Sequence, residues 1–169
     1  MPVVLSDNTV FEVHPDRASS HYQLGLRYLR NDETEAAIHA LQQAGQLRPE
    51  HAETWLFLGL AYTSAGVYER AITAYGRALA LTPHDPQAYN YLGLAYHQQQ
   101  RYRQAIRAYL QALAHRADYA LAYANLAASY EALGNTKDAM SAYQQAWQRD
   151  ANLTFARDKL EALRQQKRR

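Results

Sequence analysis

Apolar and small residues recur along this chain at an interval of 34 residues. The string LGLAY occupies residues 58–62 and occurs again at 92–96. When this offset is applied in both directions, three registers align in four successive units: Leu24, Leu58, Leu92 and Leu126; Gly25, Gly59, Gly93 and Ala127; and Tyr28, Tyr62, Tyr96 and Tyr130. A fixed period of this length indicates a repeat architecture, in which each unit buries its apolar face against the next.

The spacing of apolar residues within one unit predicts two α-helices. One set in the second unit lies at i, i+3, i+4 and i+7 and therefore shares one helical face: Trp55, Leu58, Gly59 and Tyr62. A second set follows the same rule after the Ala65-Gly66 turn: Ala71, Tyr75 and Ala78. Each unit is therefore expected to be a pair of antiparallel helices. Gly59 and Ala71 would allow close backbone approach, with the tyrosines filling the space beside them.

The order of these positions resembles the tetratricopeptide repeat (TPR) family. Residues 55–83, WLFLGLAYTSAGVYERAITAYGRALALTP, match the family pattern at nearly every signature position. The resemblance covers four units, at residues 18–51, 52–85, 86–119 and 120–153. It implies an all-α fold, an α-solenoid of four helix-turn-helix repeats.

The two ends of the chain fall outside the four units. Residues 154–169 carry an apolar stripe with charged residues behind it, which predicts a C-terminal capping helix followed by a basic tail. Residues 1–17 form an N-terminal extension. Val10, Phe11 and Val13 favour its partial packing on the first unit, while insertion into the groove or disorder remain alternatives.

Composition and charge exclude several classes of function. The chain of 169 residues has no cysteine, which excludes disulfides and cysteine-ligated zinc, and its net charge is only +2. The histidines and carboxylates show no metal-site spacing, and no phosphate loop or catalytic triad is evident. We therefore expect no metal, no cofactor and no enzymatic activity. The absence of an apolar segment of about 18–20 residues and of a secretory signal predicts a cytoplasmic location.

The family resemblance places a candidate binding groove on the first helix of each unit. The residues that it implies are Tyr22, Leu26, Leu29, Arg30, Leu56, Leu60, Asn90, Leu94 and His97. Leu26, Leu60 and Leu94 form a row with one leucine per unit, and an exposed apolar strip suggests a binding site. We therefore predict a scaffold or assembly factor whose groove binds an apolar or amphipathic protein segment.

Partner classes other than such a segment are less favoured by the sequence. TPR domains that bind acidic chaperone tails use cations, but the matching positions hold residues such as Tyr22, Leu26 and Asn90, so we expect no recognition of such tails. Self-association into a homo-oligomer is one alternative. The other is RNA or membrane-surface binding through Arg101, Arg103 and Arg107, although a solvated face is the simpler explanation and nucleic acid is not favoured.

Overall fold

The computed structural model describes the backbone of residues 16–168 and the side chains of residues 16–166. All regular secondary structure in this range is helical, as the sequence predicts. The helices are α1 (Arg17–Arg30), α2 (Thr34–Leu47), α3 (Ala52–Ser64), α4 (Tyr68–Leu81), α5 (Pro86–Gln98), α6 (Tyr102–His115), α7 (Ala120–Ala132), α8 (Thr136–Arg149) and α9 (Thr154–Arg168). The expected packing of the N-terminal extension concerns residues 1–15, which lie outside the described residues.

Each helix packs mainly against its neighbours in the chain, and the helices form two layers. The odd-numbered helices α1, α3, α5 and α7 also contact one another in succession, whereas the main contacts of the even-numbered helices are with odd-numbered ones. The odd-numbered layer is therefore the inner, concave side of the solenoid. The even-numbered helices are spread apart on the convex side, which opens grooves between them.

Local signals account for the start of α5 and for the turns between the paired helices. Asp85 is the N-cap of α5, and its Oδ1 accepts hydrogen bonds from the backbone N–H groups of Gln87 at 2.8 Å and Ala88 at 3.3 Å. Pro86 occupies the first helical position, where a missing N–H costs nothing. Each hairpin turn contains one left-handed residue, which is glycine in two of the four turns: Asp32, Gly66, Gln100 and Gly134.

The glycine register allows the two helices of a unit to approach closely. A Cβ added to Gly59 would lie 2.4 Å from Cε1 of Tyr75, and one added to Gly93 would lie 2.5 Å from Cε1 of Tyr109. Both tyrosines are fully buried. The close packing that the sequence predicts at this register is confirmed.

The last helix covers the end of the solenoid. Ala156, Leu160 and Leu163 are buried against α8, while Arg157 and Asp158 on the other side of α9 are exposed and paired with each other. This arrangement confirms the predicted C-terminal capping helix, since a solenoid would otherwise expose its final apolar face to water.

Candidate protein-binding surface

A row of three leucines lies along the concave layer. Leu26, Leu60 and Leu94 occupy the same register of α1, α3 and α5, and each is half-buried. None of the three belongs to the two clusters of buried apolar residues or to the side chains packed against those clusters. These leucines therefore leave apolar surface on the inner side of the solenoid that the core does not use.

Two of the predicted groove residues are less accessible than the sequence suggested. Leu56 is only 7% exposed and forms part of the core. Asn90 is 1% exposed, and its Oδ1 accepts a hydrogen bond from Nδ2 of Asn125 at 3.0 Å. The expectation that the groove positions are accessible is therefore wrong for Leu56, because this side chain is needed for packing between units.

The first unit contributes an aromatic edge to the concave side. The hydroxyl of Tyr22 donates to Oε2 of Glu53 at 3.0 Å and so joins α1 to α3, while its ring makes edge contacts with His51 and Phe57. Burial raises the pKa of the Tyr22 phenol well above its usual value, and the bonded carboxylate raises it further.

The two other predicted residues of the first unit differ in accessibility. Leu29 is half-buried and packs against the core, whereas Arg30 is exposed at the end of α1. Of these two residues, only Arg30 is free to contact a partner without disturbing the core.

His97 links α5 to α7 through a polar contact that crosses between units. Its Nδ1 lies 2.8 Å from Oγ of Ser129, which in turn donates to the backbone carbonyl of Asn125 at 3.2 Å. Burial lowers the pKa of the His97 imidazole, because the charged form loses hydration. The ring also contacts Tyr102 edge-on. His97, which the sequence predicts as a site residue, therefore also helps to hold α5 against α7.

The concave side becomes more polar toward the C-terminus. Glu131 accepts hydrogen bonds from the hydroxyl of Tyr143 at 2.8 Å and from Nζ of Lys159 at 3.0 Å, which connects α7, α8 and α9. No pattern in the sequence predicts a site role for Asn125 or Lys159. A signal existed for Ser129, because the preceding two units have the buried alanines Ala61 and Ala95 at its register.

A depression of about 450 Å³ opens where α3 meets the loop between α4 and α5. Ala52, Glu53 and Leu56 line one side of it, and residues 82–85 line the other. The small exposed part of Leu56 faces this depression. Leu56 therefore remains at the edge of the candidate groove although it serves the core.

The basic residues proposed for an RNA or membrane surface are partly neutralised within the chain. Nη1 of Arg101 lies 3.0 Å from Oε1 of Glu69, and its guanidinium lies over the ring of Tyr96 with 4.8 Å to the centroid. Arg103 and Arg107 are exposed on α6 and form no ion pair with any described carboxylate. Two of the three arginines therefore remain available on this face.

The described part of the chain has neither a cluster of metal ligands nor a membrane-spanning helix. No group of three or more His, Asp or Glu side chains there could hold a metal ion. Among the same residues, every helix is too short or too polar to cross a bilayer.

Comparison with protein families gives consistent matches over most of the chain. A family model described as TPR repeat matches residues 59–100 and 93–134, and one described as tetratricopeptide repeat matches residues 120–153. A model described as anaphase-promoting complex, cyclosome, subunit 3 matches residues 7–78. No curated protein matches the sequence.

Comparison with solved structures identifies the same architecture. MamA from Desulfovibrio magneticus RS-1 has a TM-score of 0.83 at 23% identity, covering 90% of this chain and 86% of that one. The PilF structure from Pseudomonas aeruginosa has a TM-score of 0.81 at 21% identity, covering 90% and 69% respectively. The first TPR of Spaghetti (RPAP3), bound to the HSP90 peptide SRMEEVD, has a TM-score of 0.68 at 23% identity, covering 70% and 94%. Likeness at this identity concerns the fold alone.

Proposed function

Because this chain belongs to the tetratricopeptide-repeat family, whose fold serves as a scaffold for protein interactions, we propose that its concave face binds an apolar or amphipathic segment of a partner protein. The role is that of a non-catalytic adaptor or assembly factor. The segment lies along α1, α3 and α5, in the manner of helix-in-groove recognition.

The row of Leu26, Leu60 and Leu94 is the observation that supports this proposal. These half-buried leucines share one register and lie outside the apolar clusters that hold the units together. Covering them with the apolar face of a partner removes that surface from water, which contributes roughly 25 cal/mol per Å² of apolar surface. Leu56 and Leu29 serve the core, so we assign them a supporting position at the edge of the site.

The polar groups beside the row favour an amphipathic partner over a purely apolar one. Asn90 and Asn125 pair with each other, as do His97 and Ser129, toward the C-terminal part of the groove. A purely apolar segment would leave the remaining polar atoms there without partners, which is costly on burial. Polar side chains of the partner are therefore expected toward α7.

Replacing two leucines of the row by glutamate tests the proposed site. We expect Leu60→Glu with Leu94→Glu to keep the helical circular dichroism and to lose the partner in affinity capture from the native cell. The control is Leu110→Glu on the convex helix α6, where the leucine is 45% exposed and the substitution leaves the groove intact. Equal capture of the partner by the double variant and the control would place the binding site away from the concave face.

Binding of an acidic chaperone tail in this groove is not expected. The predicted groove residues include a single cation, Arg30, and recognition of several carboxylates needs more than one. We expect titration calorimetry with the acidic HSP90 tail peptide to show no uptake at the groove. Binding that the Leu60→Glu and Leu94→Glu pair abolishes would contradict this prediction.

The two alternatives from the sequence remain predictions with separate measurements. Light scattering of the purified chain distinguishes a monomer from a self-associating module. Binding to RNA or acidic vesicles through α6 would depend strongly on salt and would fail when Arg103 and Arg107 are neutralised. Arg101 already pairs with Glu69, which weakens the support for that face.

A further inference from the structure

A groove opens on the convex side between the even-numbered helices α2 and α4. Its volume is about 430 Å³, and its floor is formed by three residues of α3: Trp55, Leu58 and Tyr62. The remaining lining residues come from α2 and α4: Gln42, Gln46, Arg70, Thr73, Ala74 and Arg77. We call this the α2–α4 groove. It lies on the other side of α3 from Leu60, so it is separate from the concave site.

The α2–α4 groove continues into a second depression with a more apolar lining. This depression has a volume of about 370 Å³ and shares Trp55 and Arg77 with the first. Its other lining residues are Pro49, Ala80 and Leu81, and Leu81 is 41% exposed. The combined groove thus has arginines along one part and apolar side chains at one end.

Arg70 and Arg77 are cations without a carboxylate partner among the described residues. The guanidinium of Arg77 lies over the ring of Trp55, with 4.5 Å from Cζ to the centroid, and that of Arg70 lies over Tyr62 at 5.8 Å. Neither arginine forms an ion pair with a described residue, and the described lining contains no acidic side chain. Their charge is therefore available to an anionic group that enters the groove.

The repeat itself shows that folding does not require these two arginines. One unit later, the corresponding positions on α6 are Gln104 and Gln111, which line the equivalent groove over Tyr89 and Tyr96. That groove has a smaller volume, about 250 Å³. The arginine pair is thus a property of one groove in the solenoid and not of its general packing.

We propose that the α2–α4 groove binds an extended, acidic segment of a partner protein. Arg70 and Arg77 are seven residues apart on α4, which corresponds to about 10 Å along a helix. Two carboxylates at positions i and i+3 of an extended chain in the polyproline II conformation share one face and lie about 9 Å apart. One carboxylate pairs with each arginine, and an apolar side chain beyond them lies against Pro49 and Leu81.

Charge and shape together favour a peptide as the occupant. Guanidinium groups match carboxylates in geometry and form charge-assisted hydrogen bonds. The side chains of Pro49 and Leu81 have no polar group that could bind a sugar–phosphate backbone. They suit a leucine or phenylalanine side chain instead. A groove of about 430 Å³ has room for only about one turn of a helix, whose diameter is about 10–12 Å, so an extended chain suits it better. Binding here is independent of the concave site, so the two proposals can fail separately.

Fluorescence anisotropy with designed peptides tests the proposal on the full chain. The probe is a labelled peptide containing Leu-Ser-Glu-Ser-Ser-Glu, used together with its reversed sequence because the orientation in the groove is open. The control peptides carry glutamine in place of both glutamates. We expect one of the acidic peptides to bind and its glutamine version to bind at least about tenfold more weakly, since each carboxylate contributes a charge-assisted hydrogen bond.

Exchanging the arginines for the residues of the next unit tests the site itself. Arg70→Gln with Arg77→Gln introduces side chains that the fold already accepts at these registers, and we expect it to weaken peptide binding by about tenfold or more. The matched control is Arg103→Gln with Arg107→Gln on α6, which removes the same charge and should leave the affinity unchanged.

The emission of Trp55 gives a second measurement of binding in this groove. The chain has two tryptophans, so the other is removed by Trp147→Phe, and bound peptide should then alter the emission of Trp55.

Several outcomes would overturn the proposal. The α2–α4 groove is not the site if neither peptide binds, or if the two pairs of arginine substitutions weaken binding equally. It is also not the site if a peptide binds without changing the emission of Trp55. A single-stranded RNA that binds in place of the peptides with the same arginine dependence would assign the groove to nucleic acid instead. The Leu60→Glu and Leu94→Glu pair should not affect peptide binding, and a loss there would also contradict the assignment.

Discussion

Single residues at one register decide how closely the two helices of a unit approach. Gly25, Gly59 and Gly93 each face a bulky side chain of the second helix, and an added Cβ would lie 2.4–2.5 Å from it. The fourth unit has Ala127 at this register with Tyr143 opposite, and the tyrosine hydroxyl there bonds to Glu131. Glycine inside a helix costs about 1 kcal/mol relative to alanine, so its use here reflects packing.

Enlarging Gly59 should therefore destabilise the fold. We expect Gly59→Leu to lower the free energy of unfolding by about 1–3 kcal/mol, because the ring of Tyr75 leaves no space for the side chain. Gly76→Leu is the matched control, since Gly76 lies inside α4 with no atom within 4 Å of an added Cβ. That variant should gain up to about 1 kcal/mol from helix propensity. Urea denaturation measures both, and equal effects would contradict the packing argument.

The pKa of His97 gives the fold a testable dependence on pH. Burial lowers this pKa in the folded state, so the unfolded chain binds the proton more readily. The resulting stability is complete above the unfolded pKa of about 6.5 and is lost as pH falls through the folded value. We expect thermal melts to show a smaller loss between neutral pH and pH 5 for His97→Gln than for the wild type. Parallel pH profiles for the two proteins would show that His97 does not contribute.

At the scale of helices, most of the fold could be predicted from the sequence. The 34-residue offset predicts all eight helices of the four hairpins, and the apolar stripe of residues 154–169 predicts α9. This succeeds because the contacts within a hairpin follow from helical periodicity, which the sequence displays directly. The candidate site was less predictable, because burial at Leu56 and Asn90 depends on how one hairpin is placed against the next.

The α2–α4 groove could not be predicted from the sequence for the same reason: it depends on how one hairpin is placed against the next. Arg70 and Arg77 are visible in the sequence, but only the separation of α2 from α4 shows that they share a groove with Trp55. That separation depends on the curvature of the whole array, which no local pattern encodes. A signal did exist, since both arginines occupy registers at which the next unit has glutamine.

A core substitution in the terminal helix α9 should destabilise only the part of the solenoid next to it. Leu160 is 2% exposed, and we expect Leu160→Ala to cost about 2–4 kcal/mol as measured by loss of hydrogen-exchange protection in α8 and α9. Protection in α1–α4 should remain, because these helices make no main contact with α9. Glu161→Ala, at an exposed position of the same helix, is the control. A uniform loss of protection along the chain would contradict this locality.

At the scale of the whole molecule, stability is the sum of contacts between neighbouring helices. No main contact joins described helices more than two positions apart in the chain. We therefore expect native-state hydrogen exchange to be slowest in the central helices α4–α6, which lie farthest from both ends of the array, and faster toward α1 and α9. A single exchange rate for all the slow amides would indicate one cooperative unit instead.

The polar contacts between concave helices are unevenly distributed along the solenoid. Tyr22 and Glu53 join α1 to α3, and His97 and Ser129 join α5 to α7. Between α3 and α5, no side-chain hydrogen bond is found among the described residues. We therefore expect the solenoid to bend more easily between α3 and α5 than between the concave helices that a polar contact joins. Leu60 and Leu94 lie on either side of this joint, so bending there would change the distance between the two side chains.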